Sequence, residues 1–239
     1  MRSPATLTRE QFDAACRSLV ELDISGVNGS LSYLPLNWMW KEHSKYSGFG
    51  YLYRTVSFQD RGNTEPSSSE LDNGGVEDFE DRATIPMMGS SSQISIDQYV
   101  VFSNTFRVPS FYFNAYYADG TPLSLLDLVQ TSFMRHTVSI PNACTSPSQS
   151  ILLPQIGEDS VPFPLLTRGD HPTTGAPCWY IHPCETSAAV KELMDEIVGD
   201  EWDETNPEKG LLRWFGLWFM VLGSVLNLVS LPFPWARGL

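Results

Sequence analysis

The sequence predicts an α+β fold, read as a single domain over residues 1–239. Three observations predict it. Apolar residues recur at the 3.6-residue helical period near both ends of the chain. Runs that alternate with period 2, as strands do, occupy the middle. A chain of 239 residues, 42% hydrophobic and 12% aromatic, is long enough and apolar enough to bury one substantial core.

Thr8-x-x-Gln11 has the form of a capping box, and it opens a helix that carries Phe12, Cys16, Leu19 and Val20 on one face. Residues 25–46 read as irregular, with Trp38 and Trp40 as buried anchors. A strand follows from Gly50 to Ser57. Between residues 59 and 93 the composition turns polar and acidic (Ser67, Ser68, Ser69, Asp72, Glu77, Asp78, Glu80, Asp81), with few apolar anchors. Such a segment cannot bury enough surface to offset its ordering entropy, so it is expected to be a disordered insertion. A spacer role and the docking of a basic partner are both open to it.

Two strands come next, Gln98–Ser103 and Ser110–Tyr117. The second places Phe111, Phe113 and Ala115 on one face, and Tyr112, Asn114 and Tyr116 on the other. Asp119-Gly120 signals a turn. Thr121 as N-cap and Pro122 at the first helical position then predict a helix through Leu125, Leu126, Val129 and Phe133. Residues 137–177 are rich in Pro, Ser and Thr, and 137–168 reads as an irregular insertion with at most one short strand, at Ile151–Leu153. Cys178–Ile181 is an apolar extended run that leads into His182-Pro183-Cys184. A helix capped by Thr186 or Ser187 follows, with Ala188, Val190, Leu193, Met194 and Ile197 as its apolar set. After the charged linker 200–209, no residue from Trp214 to Trp235 is charged, which is long enough to span a bilayer. Hydropathy leaves both a tail anchor and a core helix followed by a covering strip open.

The formal net charge of −13 and pI near 4.6 repel phosphate backbones, and no basic stripe offsets them, so nucleic acid is not an expected partner. The first ten residues hold no apolar signal-peptide region. Cys16, Cys144, Cys178 and Cys184 lack the spacing of a disulfide framework, which favours free thiols in a reducing compartment. The sequon at Asn28-Gly29-Ser30 is then a chance match.

Cys184 is the candidate nucleophile. It follows a proline, leaves an apolar extended segment and precedes a helix N-terminus, whose partial positive charge lowers a thiol pKa. Glu185 pushes the other way. The expectation is an accessible, moderately nucleophilic thiol suited to transthiolation. A merely packed cysteine fits the local features equally well. A zinc site of His171, Cys178, His182 and Cys184 lacks ligand spacing. A cysteine-protease arrangement with His43 or His136 has nothing around either histidine to support it.

Beyond these local readings, the run from Gly169 to Thr186, with His182-Pro183-Cys184 inside it, resembles the active-site stretch of the autophagy-related protein 3/10 family of ubiquitin-like-protein conjugating enzymes, on the protein 10 side. Asp97–Phe113 looks like that family's paired core strands, and Asp119-Gly120-Thr121-Pro122 like its following turn. Phe12, Cys16, Trp38, Trp40 and Leu226–Ala236 also fit, so the resemblance covers most of the chain outside 59–93 and 137–168. It implies a ubiquitin-conjugating-enzyme-like antiparallel sheet flanked by helices, with a long acidic loop, and an apolar C-terminal segment packed on the sheet in place of a stable membrane anchor. It implies that Cys184 accepts autophagy-related protein 12 from autophagy-related protein 7 as a thioester and passes it to a lysine of autophagy-related protein 5. His182 and Pro183 would then support the catalytic loop. The oxyanion-stabilising asparagine of ubiquitin-conjugating enzymes has no match in the motif, and Asn114 is the candidate substitute. No metal or small cofactor is implied. The expected location is the cytoplasm, with peripheral contact at the forming autophagosome membrane. The alternative function is a non-catalytic adaptor that holds the ubiquitin-like protein and its acceptor together.

Overall fold

Alternation along the central strands sorts their side chains onto two faces of one antiparallel sheet. The computed structural model describes residues 4–24, 37–43, 45–46, 48–59, 93–135, 151–152, 164–197 and 207–228. Within them the elements run α1 (Arg9–Ile24), β1 (Met39–Lys41), β2 (Tyr51–Gln59), β3 (Gln93–Ser103), β4 (Val108–Tyr117), α2 (Leu125–Gln130), β5 (Ile151–Leu152), β6 (Pro164–Asp170), β7 (Pro177–Ile181), α3 (Thr186–Ile197) and α4 (Pro207–Gly223). The sheet has the order β1-β2-β3-β4-β7-β6-β5, with antiparallel pairing throughout. The α+β class and the antiparallel sheet are thus as expected.

Leu52, Ile96, Val100, Phe111 and Phe113 point to the helix-covered face and are fully buried. Phe12 of α1 meets Phe102 and Phe215 at ring separations of 5.6 and 6.0 Å. On the opposite face Tyr53, Tyr99, Tyr112 and Tyr180 stand in one cross-strand row, set by the pairs Tyr53↔Tyr99, Tyr99↔Tyr112 and Tyr112↔Tyr180. The capping box of α1 is formed: Thr8 N donates to Gln11 Oε1 at 2.8 Å and Gln11 N donates to Thr8 Oγ1 at 3.2 Å. Trp38 is buried beneath the guanidinium of Arg54, 4.3 Å from its ring. Trp40 lies across Gly50, where a Cβ would meet its ring at 2.0 Å.

Strand β1 forms inside the stretch expected to be irregular, and three further elements differ from the sequence reading. The second helix starts at Leu125, with Ser124 as N-cap and a Ser124–Asp127 capping box. Thr121 and Pro122 are held in the sheet's return instead: Tyr117 N donates to Thr121 O, Leu123 N donates to Ala115 O (2.9 Å each), and Pro122 bridges Tyr116. The helix ends at Gln130, so Phe133 reaches the core from beyond it. Residues 164–168 of the predicted irregular insertion belong to β6, which pairs with β7 and buries Leu166 against Ile181. A strand forms there because β7 needs a hydrogen-bonding neighbour, a long-range requirement with no local signal. Finally, α3 begins at Thr186, Ala189 N donates to Glu185 O, and Glu185 is therefore the cap residue; Ala188 is exposed while Val190 and Met194 are buried.

Helix α4 buries Leu211, Trp214, Phe215, Leu217, Trp218, Phe219 and Leu222. Among the described residues no helix is long and apolar enough to cross a membrane. Most of the acidic insertion, the remainder of the 137–168 insertion other than β5, and the chain beyond Leu228 lie outside the described residues.

Candidate active site

Strand β7 ends where Pro183 removes a backbone donor, and α3 begins three residues later. Cys184 sits in the turn between them, half-buried, and its backbone N–H donates to His182 Nδ1 at 3.2 Å. Pro183 is buried, and its carbonyl accepts from Thr186 N at 3.2 Å. These two bonds fix the turn. The His182 ring meets Phe106, from the β3–β4 turn, edge-on at 5.2 Å, and burial holds its pKa below the ordinary value. A neutral imidazole that accepts at Nδ1 carries its proton on Nε2. Its Nδ1 serves the backbone of Cys184, not the thiol.

The thiol itself departs from expectation. Burial raises the Cys184 pKa, the Glu185 carboxylate raises it further, and the backbone N–H groups of Glu185 and Cys184 offset only part of this. The helix N-terminus is outweighed by desolvation and one adjacent negative charge.

The family model described as "Autophagocytosis associated protein, active-site domain" matches residues 11–230, which includes every described strand. The chain belongs to this family. It is also similar to three proteins named ubiquitin-like-conjugating enzyme ATG10. The Homo sapiens protein is 24% identical over 159 residues, covering 66% of this chain and 60% of the relative. The Dictyostelium discoideum protein is 24% identical over 137 residues (56% and 50%), and the Arabidopsis thaliana protein 27% over 132 (55% and 48%). The chain spans about half the length of the curated relatives it matches.

Within this autophagocytosis-associated domain, Asn114 is brought to Cys178 and not to Cys184. The β4–β7 register pairs Phe113 with Trp179, which sets Asn114 in line with Cys178, six residues before Cys184. The amide orientation that satisfies both ends has Nδ2 donating to the carbonyls of Phe113 and Pro177 at 3.2 Å, with Oδ1 turned to the Cys178 sulfur. Cys178 is buried, and burial raises its pKa. His171 is also buried; its Nδ1 accepts from the backbone N–H of Thr173 and Thr174 at 3.1 and 3.2 Å. No group of three or more His, Cys, Asp or Glu side chains converges as a metal site among the described residues. His43 follows β1 at the sheet edge, with β2, β3 and β4 between that strand and β7, and His136 lies outside the described residues.

Sequence reasoning missed Phe106 as the neighbour of His182 and gave Glu185 too little weight. Phe106 stands in a hairpin turn, where no periodicity marks a side chain's direction. The acidic neighbour of Cys184 was visible in the sequence, but its net effect depends on burial.

Proposed function

We propose that this chain is a conjugating enzyme for a ubiquitin-like protein in autophagy, with Cys184 as the thioester-forming residue. The observation that carries the proposal is a partly exposed thiol at a fixed strand-to-helix turn, in a chain of the autophagocytosis-associated active-site family. The names of the relatives it resembles support the same chemistry. In this reading Cys184 attacks the thioester that joins autophagy-related protein 12 to its activating enzyme, autophagy-related protein 7. The acyl group moves to Sγ and the activating enzyme's thiolate leaves. A lysine amine of autophagy-related protein 5 then attacks the same carbonyl, an isopeptide bond forms, and the Cys184 sulfur leaves. His182 and Pro183 hold the turn, so the sulfur meets each acyl donor and acceptor in one geometry. The nucleotide is consumed by the activating enzyme, and no step calls for a metal or small cofactor here. The whole of residues 1–239 acts as one domain, with 59–93 and, up to the start of β6, 137–163 as insertions, working in the cytoplasm at the surface of the forming autophagosome.

The test mixes the chain with activating enzyme, ATP and the ubiquitin-like protein. An adduct cleaved by thiols, and replaced by a thiol-stable oxyester in Cys184→Ser, is the expected result. A complex that forms without any adduct sinks the enzyme and leaves the non-catalytic adaptor.

A further inference from the structure

The β3–β4 turn contains a residue in a strained backbone conformation, and that residue is tied from both sides. Arg107 is left-handed (φ 55°), a conformation that only glycine adopts freely. Its N–H donates to Ser103 O at 2.7 Å and closes the turn, after which Val108 re-enters the sheet opposite Ser103. Its carbonyl accepts from Leu7 N at 2.8 Å. Leu7 is fully buried, and Pro4 O, three residues before it, accepts from Trp214 Nε1 of α4 at 2.9 Å. Residues 4–7 thus form a strap pinned to α4 at one end and to the turn at the other. The Arg107 side chain is exposed, so the strain secures no core contact of its own. Its effect falls on the preceding residue. Phe106 meets the His182 ring edge-on at 5.2 Å, and His182 Nδ1 accepts from the N–H of Cys184 at 3.2 Å. An outlier held in place by its surroundings, next to a side chain that touches the active-site turn, points to a use for the strain.

Building on the conjugating function proposed above, we infer that Arg107 is a positioning residue of acyl transfer: its left-handed backbone, locked by Leu7, keeps Phe106 against His182 and so fixes the turn that carries the Cys184 sulfur. An extended backbone at Arg107 would turn its carbonyl away from Leu7 N and swing Phe106 off the imidazole. The His182 ring would lose its confinement on that side, and the N–H of Cys184 would lose a fixed acceptor. The sulfur would then sample positions from which it cannot attack. Such a change lowers the rate of transfer and leaves partner docking alone, because only the nucleophile is displaced. A displacement of about 1 Å at a reacting atom slows a reaction by up to about 100-fold.

The test uses the full chain and two variants that remove the same exposed charge. Arg107→Gly adopts a left-handed backbone freely, whereas the β-branched Arg107→Val does not. Urea unfolding first establishes that each is folded under the assay conditions. Thioester loading from activating enzyme, ATP and the ubiquitin-like protein is then followed at rising concentrations of activating enzyme. Arg107→Val is expected to load about tenfold more slowly at saturation with its half-saturation point unchanged, and Arg107→Gly to load as wild type does. A second measurement needs no partner. An imidazole whose Nδ1 is fixed as an acceptor keeps its proton on Nε2 and shows two widely separated nitrogen-15 shifts. The His182 pair should stay apart in wild type and Arg107→Gly and converge in Arg107→Val, as its tautomers exchange. Leu7→Ala, which unseats the strap from the other side, is read in the same way should Arg107→Val not fold. Wild-type loading by Arg107→Val, slow loading by Arg107→Gly, or unmoved His182 shifts overturns the inference. Failure of the wild-type chain to load overturns the conjugating function instead, and the His182 spectra still decide whether Arg107 positions the turn.

Discussion

At Cys184 a helix N-terminus competes with burial and with the charge of Glu185, and the latter two win. The thiol pKa lies above its ordinary value, so the thiolate fraction is small at neutral pH and rises as pH climbs through the raised pKa. Alkylation of Cys184 by iodoacetamide, followed from pH 6 to 11, should therefore reach half its maximal rate at a higher pH than a small free thiol does. A midpoint at or below that of the free thiol would mean that the helix terminus prevails. The identity of this residue was legible, because proline before it and an amphipathic helix after it mark a junction in the sequence. The direction of its titration was not, since that depends on how deeply the turn is buried. Asn114 illustrates the other limit. Alternation gave its face correctly, but its neighbour is decided by the β4–β7 register, whose last pair Phe113↔Trp179 brings the Asn114 amide within 3.3 Å of the Cys178 sulfur.

Among the elements, those whose signals lie within a few residues were legible. Thr8 and Gln11 cap α1 as their spacing indicates, and the two faces of β4 follow the alternation of its residues. The second helix was misplaced because Thr121-Pro122 and Ser124-x-x-Asp127 are both sound start signals, three residues apart. Hydrogen bonding of Thr121 and Leu123 back to β4 settles the contest. The contest has a measurable consequence. Ser124→Ala should lower stability by about 1 kcal/mol, as loss of an N-cap does. Thr121→Ala should cost less than about 0.5 kcal/mol, as at an ordinary surface position. Urea unfolding midpoints of the two variants, at unchanged slope, check this. A larger loss for Thr121→Ala than for Ser124→Ala would place the cap at Thr121. Strand β6 had no local signal at all: Pro164, Gly169 and Asp170 are poor strand formers, and its place is fixed by β7.

At the scale of the whole molecule, the tyrosine-lined face of the sheet is joined to the β6–β7 loop through His171. Its ring lies 4.8, 4.9 and 5.8 Å from the rings of Tyr51, Tyr99 and Tyr112, which come from β2, β3 and β4. Thr173 Oγ1 donates to Phe49 O at 3.1 Å and ties the same loop to the approach of β2. Burial lowers the His171 pKa from 6.5 to about 4. Above pH 6.5 the imidazole is neutral whether the chain is folded or unfolded, and its packing counts in full. As pH falls from 6.5 towards 4 the unfolded chain takes up a proton that the folded chain refuses, so stability is lost across that window. The loss amounts to roughly 3 kcal/mol. His171→Asn supplies an oxygen acceptor for the N–H groups of Thr173 and Thr174 but cannot titrate. The variant should be less stable than wild type at pH 7.5, because three aromatic contacts go, yet its stability should decline less between pH 6.5 and 4. Urea unfolding of both proteins at pH 7.5, 6.5, 5.5 and 4.5 isolates the effect, since every carboxylate titrates alike in the two chains. Curves that run parallel across the window would show that His171 is not what ties the fold to pH.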